Sequence, residues 1–246
     1  MPRYEFKYFI PFQMLSDLRK DILPYLNYDK FSLIMPEKEY TVRSIYLDSP
    51  RLLTYQEKMD GLRTRHKYRI RGYNTKTNDS LVFMEIKRKD FDFVSKDRAP
   101  LLYCDLEKFL RTNDYNLLLQ NIGIPKENET SACNFLYYYF IHNLAPSTII
   151  TYEREAFECK FNCGLRVTFD KNVRVQPTDS YSNLFSEDKM TRLFKDHFIL
   201  EIKYGKILPS WLPAVLRKYD LFREAISKYS IGVDVSNNTS FSQYLI

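Results

Sequence analysis

Basic side chains recur on alternate residues in four short segments of this sequence. The segments contain Lys67, Arg69 and Arg71; Lys87 and Lys89 beside Glu85; Arg154 beside Tyr152; and Lys203 beside Glu201. Alternate residues of a β-strand lie on one face of the sheet, about 6.6 Å apart. Two like charges at that distance repel by roughly 2–3 kcal/mol at an effective dielectric constant near 20. Repeated pairs of this kind indicate that a polyanion lies between them.

Glutamates are interleaved with these cations, and their presence favours a site that holds a divalent metal as well as an anion. Glu85 precedes Lys87 by two residues, and Glu201 precedes Lys203 by two residues. A carboxylate weakens a simple anion site, but it is useful where a divalent metal bridges carboxylate and phosphate oxygens. We therefore predict Glu201 and Glu85 as metal ligands for Mn²⁺ or Mg²⁺. Lys67 and Lys203 are predicted to bind the anionic substrate.

The alternative is that these charges form an ordinary solvated face. In that case Lys203 pairs with Glu201 as a surface ion pair of little energetic value, and other lysines pair with their neighbouring glutamates in the same way. Asp48 and Asp170 are predicted to cap turns. Arg43 has the opposite parity to the polar residues of its strand, which predicts that it points away from them unless a bulge intervenes.

Composition limits the class of protein. The 246 residues carry a net charge of +6, with 20 Tyr, 18 Phe and only 6 Gly, which is typical of regular strands and helices. The sequence has no apolar run long enough to span a membrane and begins without a signal-peptide pattern. We expect a cytoplasmic protein, which can also lie at the inner face of the membrane. Cys159 and Cys163 have no matching second pair and are expected to be unpaired thiols.

The apolar pattern predicts the order of the elements. Strands are expected at 3–10, 39–48, 64–73, 80–89, 147–158, 163–170, 197–204 and 230–235. Helices are expected at 12–26, 50–60, 104–120, 131–143, 209–218 and 221–229, with a turn at 126–130 and a long loop at 171–196.

These elements do not alternate one for one, which argues against a doubly wound parallel sheet. The pattern predicts an α+β fold, in which an antiparallel sheet closes into a β-barrel around a polar interior. The helices are expected to pack outside the barrel. We expect one domain over residues 1–235 and a polar tail over residues 236–246.

Eight blocks of the sequence, in order along nearly the whole chain, resemble the VTC domain, the polyphosphate polymerase module of the vacuolar transporter chaperone complex. The blocks are residues 3–8 (RYEFKY), 42–48 (VRSIYLD), 67–73 (KYRIRGY), 85–89 (EIKRK), 152–154 (YER), 165–170 (LRVTFD), 200–203 (LEIK) and 222–229 (FREAISKY). The resemblance implies a triphosphate tunnel fold of the CYTH-like superfamily, which binds triphosphate, polyphosphate and a divalent metal.

The resemblance also implies the residues of the site. The implied phosphate ligands are Lys7, Arg69, Arg71, Lys87, Lys96, Arg154, Arg166 and Lys228. Tyr152 and Ser227 are implied as hydroxyl donors, and Glu201 as the metal ligand. Fungal members carry a lysine at the place of Ala225, so one phosphate contact is expected to be missing here. Fungal members also have an SPX domain and membrane helices. We expect neither here, and the sequence resembles the compact bacterial type.

The activity implied is ATP-dependent polymerisation of polyphosphate, with the ATP γ-phosphate transferred to the growing chain. Two alternatives stay open: a triphosphatase of the same fold, acting on inorganic triphosphate or a nucleoside triphosphate, and a non-catalytic polyphosphate or nucleotide sensor. A nucleic-acid binder is disfavoured, because the aromatic residues mostly take the opposite face from the lysines. The expected partners are ATP and polyphosphate, and a separate membrane protein that receives the polymer.

Overall fold

One antiparallel sheet of ten strands dominates the part of the chain that the computed structural model describes, residues 4–91, 93–119, 126–161, 163–205 and 207–236. The strands are β1 (Tyr4–Pro11), β2 (Leu26–Tyr28), β3 (Tyr40–Asp48), β4 (Thr64–Tyr73), β5 (Leu81–Asp90), β6 (Phe93–Leu102), β7 (Ala145–Cys159), β8 (Arg166–Pro177), β9 (Thr191–Arg192) and β10 (His197–Tyr204). Hydrogen bonds connect them in the order β1-β10-β8-β7-β3-β4-β5-β6, with β2 beside β7 and β9 beside β8.

Helices fill most connections between the strands. They are α1 (Leu15–Ile22), α2 (Lys30–Leu33), α3 (Leu53–Met59), α4 (Leu106–Thr112), α5 (Asn116–Leu119), α6 (Lys126–Ile141), α7 (Trp211–Lys218) and α8 (Lys228–Ser236). The predicted mixture of helices and an antiparallel sheet is confirmed. Across the described ranges, no helix combines the length and the apolar character that a membrane crossing requires.

The predicted closed β-barrel is not what the structure shows. Strands β1 and β6 are the two ends of the sheet, and no backbone pairing joins them within the described residues. Side chains bring the two ends together instead: Lys87 of β5 donates to Glu5 of β1 at 2.8 Å, and the rings of Tyr4 and Phe93 lie 6.3 Å apart. The sheet therefore curls around an interior, and ionic and aromatic contacts bridge its two ends.

The two faces of the sheet divide apolar from basic residues, as the alternation predicts. Tyr68, Ile70 and Ile86 are buried in an apolar cluster with Phe135 of α6 on the outer face. On β10, Ile202 packs in a second outer cluster that also contains residues of α1 and α7. The residues between these positions point into the curled interior.

Helix α8 departs from the prediction that all helices pack outside. Tyr229 stacks on Tyr46 of the inner face, with ring centroids 5.1 Å apart. A Cβ added at Gly232 would lie 2.8 Å from Val175 and 3.3 Å from Thr148, so the helix backbone lies directly on strands β7 and β8. Helix α8 thus covers part of the inner face and leaves the rest to basic side chains.

The C-terminal elements correct the sequence prediction of a helix at 221–229 and a strand at 230–235. Residues 221–227 have no regular structure, and residues 228–236 form α8. The alternating Ile231, Val233 and Val235 suggested a strand, but Ser227 accepts the backbone N–H of Ser230 at 3.2 Å. This N-cap hydrogen bond begins a helix. The predicted tail, beyond Ser236, lies outside the described residues.

Other differences follow from weak local signals. Strand β6 was not predicted, because its polar sequence contains Pro100, and proline is tolerated only at a sheet edge such as this one. The expected turn at 126–130 belongs to α6. Strand β8 continues to Pro177 and so includes residues 171–177 of the expected loop. Cys159 and Cys163 form a disulfide, so the prediction of unpaired thiols is wrong.

Candidate functional site

A cavity of about 70 Å³ opens on the inner face and continues into a wider mouth of about 440 Å³. The inner cavity is lined by Lys7, Tyr46, Lys67, Arg69, Arg71, Lys87, Tyr152, Arg154, Glu201, Lys203, Ser227 and Lys228. Eight of these side chains are cationic and one is acidic. The mouth shares Lys7, Lys67, Lys87 and Ser227 with the inner cavity and adds the cations Lys58, Arg65, Lys89 and Arg223.

Glu85 holds a group of four cations beside the inner cavity. Its Oε2 accepts from Arg69 Nε at 2.7 Å and lies 3.9 Å from Arg71 Nη1, while its Oε1 accepts from Lys96 at 3.0 Å and lies 3.3 Å from Arg98. The carboxylate is fully buried. Burial alone would raise the pKa of Glu85, but the four cations hold it well below the usual value. Glu85 is therefore the counter-ion of these cations, a different environment from that of a metal ligand.

Glu5 plays a similar part at the junction of the sheet's two ends. Both its oxygens accept from Lys87 Nζ at 2.8 Å, and Lys7 Nζ lies at 3.2 Å. Burial and Glu201 would raise the pKa of Glu5, yet Lys7, Lys87 and Lys203 together lower it to about 2. Lys7 also donates to the carbonyl of Ile226 at 3.1 Å and so connects β1 to the segment before α8.

Asp170 lies in the site, and the prediction that it caps a turn is wrong. Arg154 grips it with two hydrogen bonds of 2.6 and 2.8 Å, and Lys228 donates to it at 2.5 Å. Asp170 and Arg154 lie opposite each other on β8 and β7. Asp48, by contrast, has the predicted capping role, because it accepts the backbone N–H groups of Ser49 and Thr54.

Glu201 is the acidic residue that lines the inner cavity. One of its oxygens lies 3.2 Å from Lys203 and 3.4 Å from Arg154. Burial would raise its pKa, but Lys203, with Lys7 and further cations, holds it well below the usual value. Thr168 lies opposite Glu201 on β8, and its buried Oγ1 has no hydrogen-bond partner.

These oxygens fit a divalent metal only in part. No cluster of three or more acidic, His or Cys side chains suited to a metal occurs in the described parts of the chain. A hard cation that binds together with phosphate needs only one or two carboxylates, since substrate oxygens and water complete its shell. Glu201 and the unpaired Thr168 hydroxyl are compatible with such a site.

Two hydroxyl groups predicted as donors lie at the cavity. The ring of Tyr152 lies beneath Lys228 Nζ at 4.7 Å and beneath the Arg154 guanidinium at 5.2 Å. Burial raises the pKa of Tyr152 to about 12, so its hydroxyl keeps its proton. The Ser227 hydroxyl lies 2.6 Å from Lys67 Nζ. Both can donate to a phosphate oxygen.

Three predicted or discussed residues lie away from the inner cavity. Arg166 donates to Asp29 at 2.7 Å and to Glu158 at 2.9 Å, and it does not line the cavity. Lys96 does not line the inner cavity but donates a hydrogen bond to Glu85 beside it. Arg43 points away from the cavity, as its parity predicts, and pairs with Glu187 at 2.5 Å.

Sequence reasoning missed several residues of the site. Tyr46 accepts from Arg69 at 3.1 Å, and Ser44 accepts from Arg71 at 3.0 Å. Both have the parity of Asp48 on β3, so the alternation pointed to the correct face. Among the additional cations of the mouth, Arg65 and Lys89 continue the alternation of β4 and β5. Lys58 and Arg223 lie on other segments, and no spacing in the sequence connects them to the site.

Comparison with solved structures finds proteins of similar fold. The structure aligns with that of a candidate adenylate cyclase from Bacillus halodurans at 10% identity, with a TM-score of 0.52, over 92% of this chain and 96% of the other. It also aligns with an adenylyl cyclase candidate from Hippeastrum described as having a dominant triphosphatase activity, at 12% identity and a TM-score of 0.49, over 96% and 97% of the two chains. A search of curated proteins gives no significant match.

At such low identity the structural likeness shows the fold alone. The family model of the VTC domain, however, matches residues 2–237, which is nearly the whole chain and includes every residue of the cavity described above. The chain therefore belongs to the VTC-domain family.

Proposed function

We propose that this protein is an ATP-dependent polyphosphate polymerase that transfers the γ-phosphate of ATP to a growing polyphosphate chain. One observation carries the proposal: eight lysines and arginines line the inner cavity, and further lysines and arginines line the mouth, together with Glu5 and Glu224. A basic track suits a ligand that repeats the same anionic group along its length. A single phosphate would contact only a few of these side chains.

The side chains divide the work of phosphoryl transfer. Its transition state is loose, with charge spread over the equatorial oxygens, so positioning and charge stabilisation account for most of the catalysis. Arginines grip phosphate oxygens with two parallel hydrogen bonds, and lysines act as compact charges. We assign the first role to Arg69, Arg71 and Arg154, and the second to Lys7 and Lys87. Lys203 and Lys228 add further charge of the same kind to the cavity.

The acceptor needs no general base in this reaction. The attacking group is a terminal phosphate oxygen of the polymer, which is already ionised near neutral pH. Tyr152 and Ser227 donate hydrogen bonds to phosphate oxygens. We propose Glu201 as the protein ligand of the divalent metal, which supplies neutralisation of charge on the phosphate oxygens when bound.

Incubation of the purified protein with ATP and Mn²⁺, followed by gel staining for polyphosphate, tests the proposal. We expect ADP and long polymer. Free phosphate without polymer would instead identify a triphosphatase, and binding without turnover would identify a sensor. Lys87→Ala should reduce polymer formation, whereas Arg88→Ala should not, because Arg88 lies on the outer face of the same strand, paired with Asp97.

Glu201→Gln tests the metal site in the same assay. The substitution keeps the side-chain volume and removes a hard oxygen ligand, so we expect polymer formation to be abolished while the protein stays folded. Activity close to that of the unchanged protein would remove Glu201 from the proposal.

We further propose that the polymer passes to a separate membrane protein from a cytoplasmic enzyme. Crosslinking in cells, followed by purification of the protein from membranes and from the soluble fraction, tests this. An integral membrane protein should copurify with the membrane-bound enzyme. Active enzyme found only in the soluble fraction and without such a partner would contradict this proposal.

A further inference from the structure

Lys67 differs from the other lysines of the inner cavity in its contacts. Each of the other four has a carboxylate within ion-pair distance: Lys7 and Lys87 have Glu5, Lys203 has Glu201, and Lys228 has Asp170. Among the residues that the structure describes, no carboxylate pairs with Lys67. Its Nζ lies instead 2.6 Å from the Ser227 hydroxyl oxygen.

The surroundings of Lys67 weaken its hold on the ammonium proton. Burial comes first, and the neighbouring charges of Lys7, Lys87 and Arg69 add to it; together they lower the pKa of Lys67 well below its usual value. A neutral lysine amine in contact with a hydroxyl can accept its proton. Serine–lysine pairs use this arrangement to activate the hydroxyl as a nucleophile.

Ser227 is fixed in position and open to the substrate cavity. Its Oγ accepts the backbone N–H of Ser230 at 3.2 Å and lies 3.0 Å from Ser230 Oγ. Although only 7% exposed, Ser227 lines both the inner cavity and the mouth. A phosphate chain that passes between the two must pass this hydroxyl.

We propose that Ser227 is itself a phosphoryl acceptor, with Lys67 as its general base. The proposal rests on the proposed function, in that a nucleoside triphosphate binds in the cavity. The Ser227 oxygen forms a bond to the terminal phosphorus, and the bond from that phosphorus to the bridging oxygen breaks. The nucleoside diphosphate leaves with the electron pair, and the hydroxyl proton moves to Lys67 Nζ.

The phosphoserine formed at position 227 is stabilised by the charges and the helix N-terminus around it. Ser227 is the N-cap of the nine-residue helix α8, and a helix N-terminus stabilises phosphate through its free N–H groups and its dipole. Proton transfer also turns Lys67 into a cation beside the new dianion, with Lys7 nearby. The uncompensated charge of the cavity is thus reduced when Ser227 is phosphorylated.

Mass spectrometry of the whole purified protein after incubation with ATP and Mn²⁺ tests the proposal, with peptide mapping to assign the site. We expect one added phosphoryl group, stable to acid, on Ser227. Ser227→Ala should abolish it, and Ser230→Ala, one turn further along α8, should leave it on Ser227. Lys67→Arg places a permanently protonated guanidinium there that cannot accept the proton, so the initial rate should fall by roughly 100-fold or more.

Binding of inorganic triphosphate, measured by calorimetry on the same variants, separates this proposal from the proposed function. Lys67→Arg should still bind triphosphate, and Ser227→Ala should bind it more weakly, by the loss of one hydrogen bond, but not lose binding. A protein that turns over ATP without phosphate on Ser227 would overturn the inference and leave the proposed function intact. Acid-labile phosphate on Lys67 would also overturn it. Failure to bind triphosphate at all would overturn both.

Discussion

The substitution Glu85→Gln separates the role of counter-ion from that of metal ligand. In the structure Glu85 is fully buried and contacts four cations. Removal of the one anion from a buried ionic group leaves charges without compensation and typically destabilises a protein by about 3–5 kcal/mol. With a urea dependence of about 3 kcal/mol per M, the unfolding midpoint should fall by about 1–1.7 M. Urea titration followed by circular dichroism measures this shift.

Asp97→Asn provides the matched control. Asp97 lies on the neighbouring strand β6 and forms a single, partly exposed ion pair with Arg88 at 2.8 Å. Such pairs contribute about 0–1 kcal/mol, so the control should unfold close to the unchanged protein. Similar midpoints for the two variants would refute the assignment of Glu85 as the centre of the cation group.

Glu85→Gln should also bind triphosphate more tightly than the unchanged protein. A negative charge about 8 Å from the ligand opposes it by about 2 kcal/mol at an effective dielectric constant near 20. We therefore expect calorimetry without metal to show affinity for inorganic triphosphate rising roughly 30-fold in Glu85→Gln. If Glu85 instead held a metal that binds the ligand, Glu85→Gln would bind triphosphate more weakly than the unchanged protein in the presence of Mn²⁺. Weaker binding under both conditions would refute the counter-ion reasoning.

Three further predictions test the inner face. Arg69→Ala should weaken triphosphate binding by about 1.5–3 kcal/mol in calorimetry, whereas Ile70→Ala should bind normally but lose about 2–5 kcal/mol of stability in a urea titration; the reverse result would contradict the strand register. Burial and neighbouring cations lower the pKa of Lys87 to about 8, so the free protein loses this charge as the pH rises, and triphosphate affinity should fall from about pH 7 to about pH 9, less steeply in Lys87→Arg. Gly232→Ala places a methyl group against Val175 and should cost about 1–3 kcal/mol of stability; an unchanged unfolding midpoint would refute the packing of α8 on the inner face.

Alternation along single strands was enough to predict which side chains share a face. Arg69 and Arg71 line the cavity, and Tyr68 and Ile70 lie in the outer core. This prediction succeeded because the side-chain period of a strand is two, whatever the rest of the fold does. The order of the long strands followed from the same pattern together with the turn residues between them.

The prediction failed where tertiary contacts decide the outcome. The alternation of Ile231 and Val233 is equally compatible with a strand, and only the N-cap at Ser227 and the buried surface of the sheet select the helix α8. Closure of the sheet is likewise not a property of any one strand. It depends on whether the first and last strands reach each other, and here Tyr4 of β1 and Phe93 of β6 meet through their rings while Glu5 of β1 pairs with Lys87 of β5.

The pairing of the cavity cations with carboxylates could not be predicted from the sequence. The protein must fold with its phosphate-binding cations buried before any phosphate is bound. Buried like charges without counter-ions would oppose this folding. The chain meets this requirement with carboxylates from distant segments, among them Glu5, Glu85 and Asp170. A polyphosphate that enters must compete with these internal anions for the same cations. Lys67 needs no such exchange, because the described structure gives it a hydroxyl partner and no carboxylate.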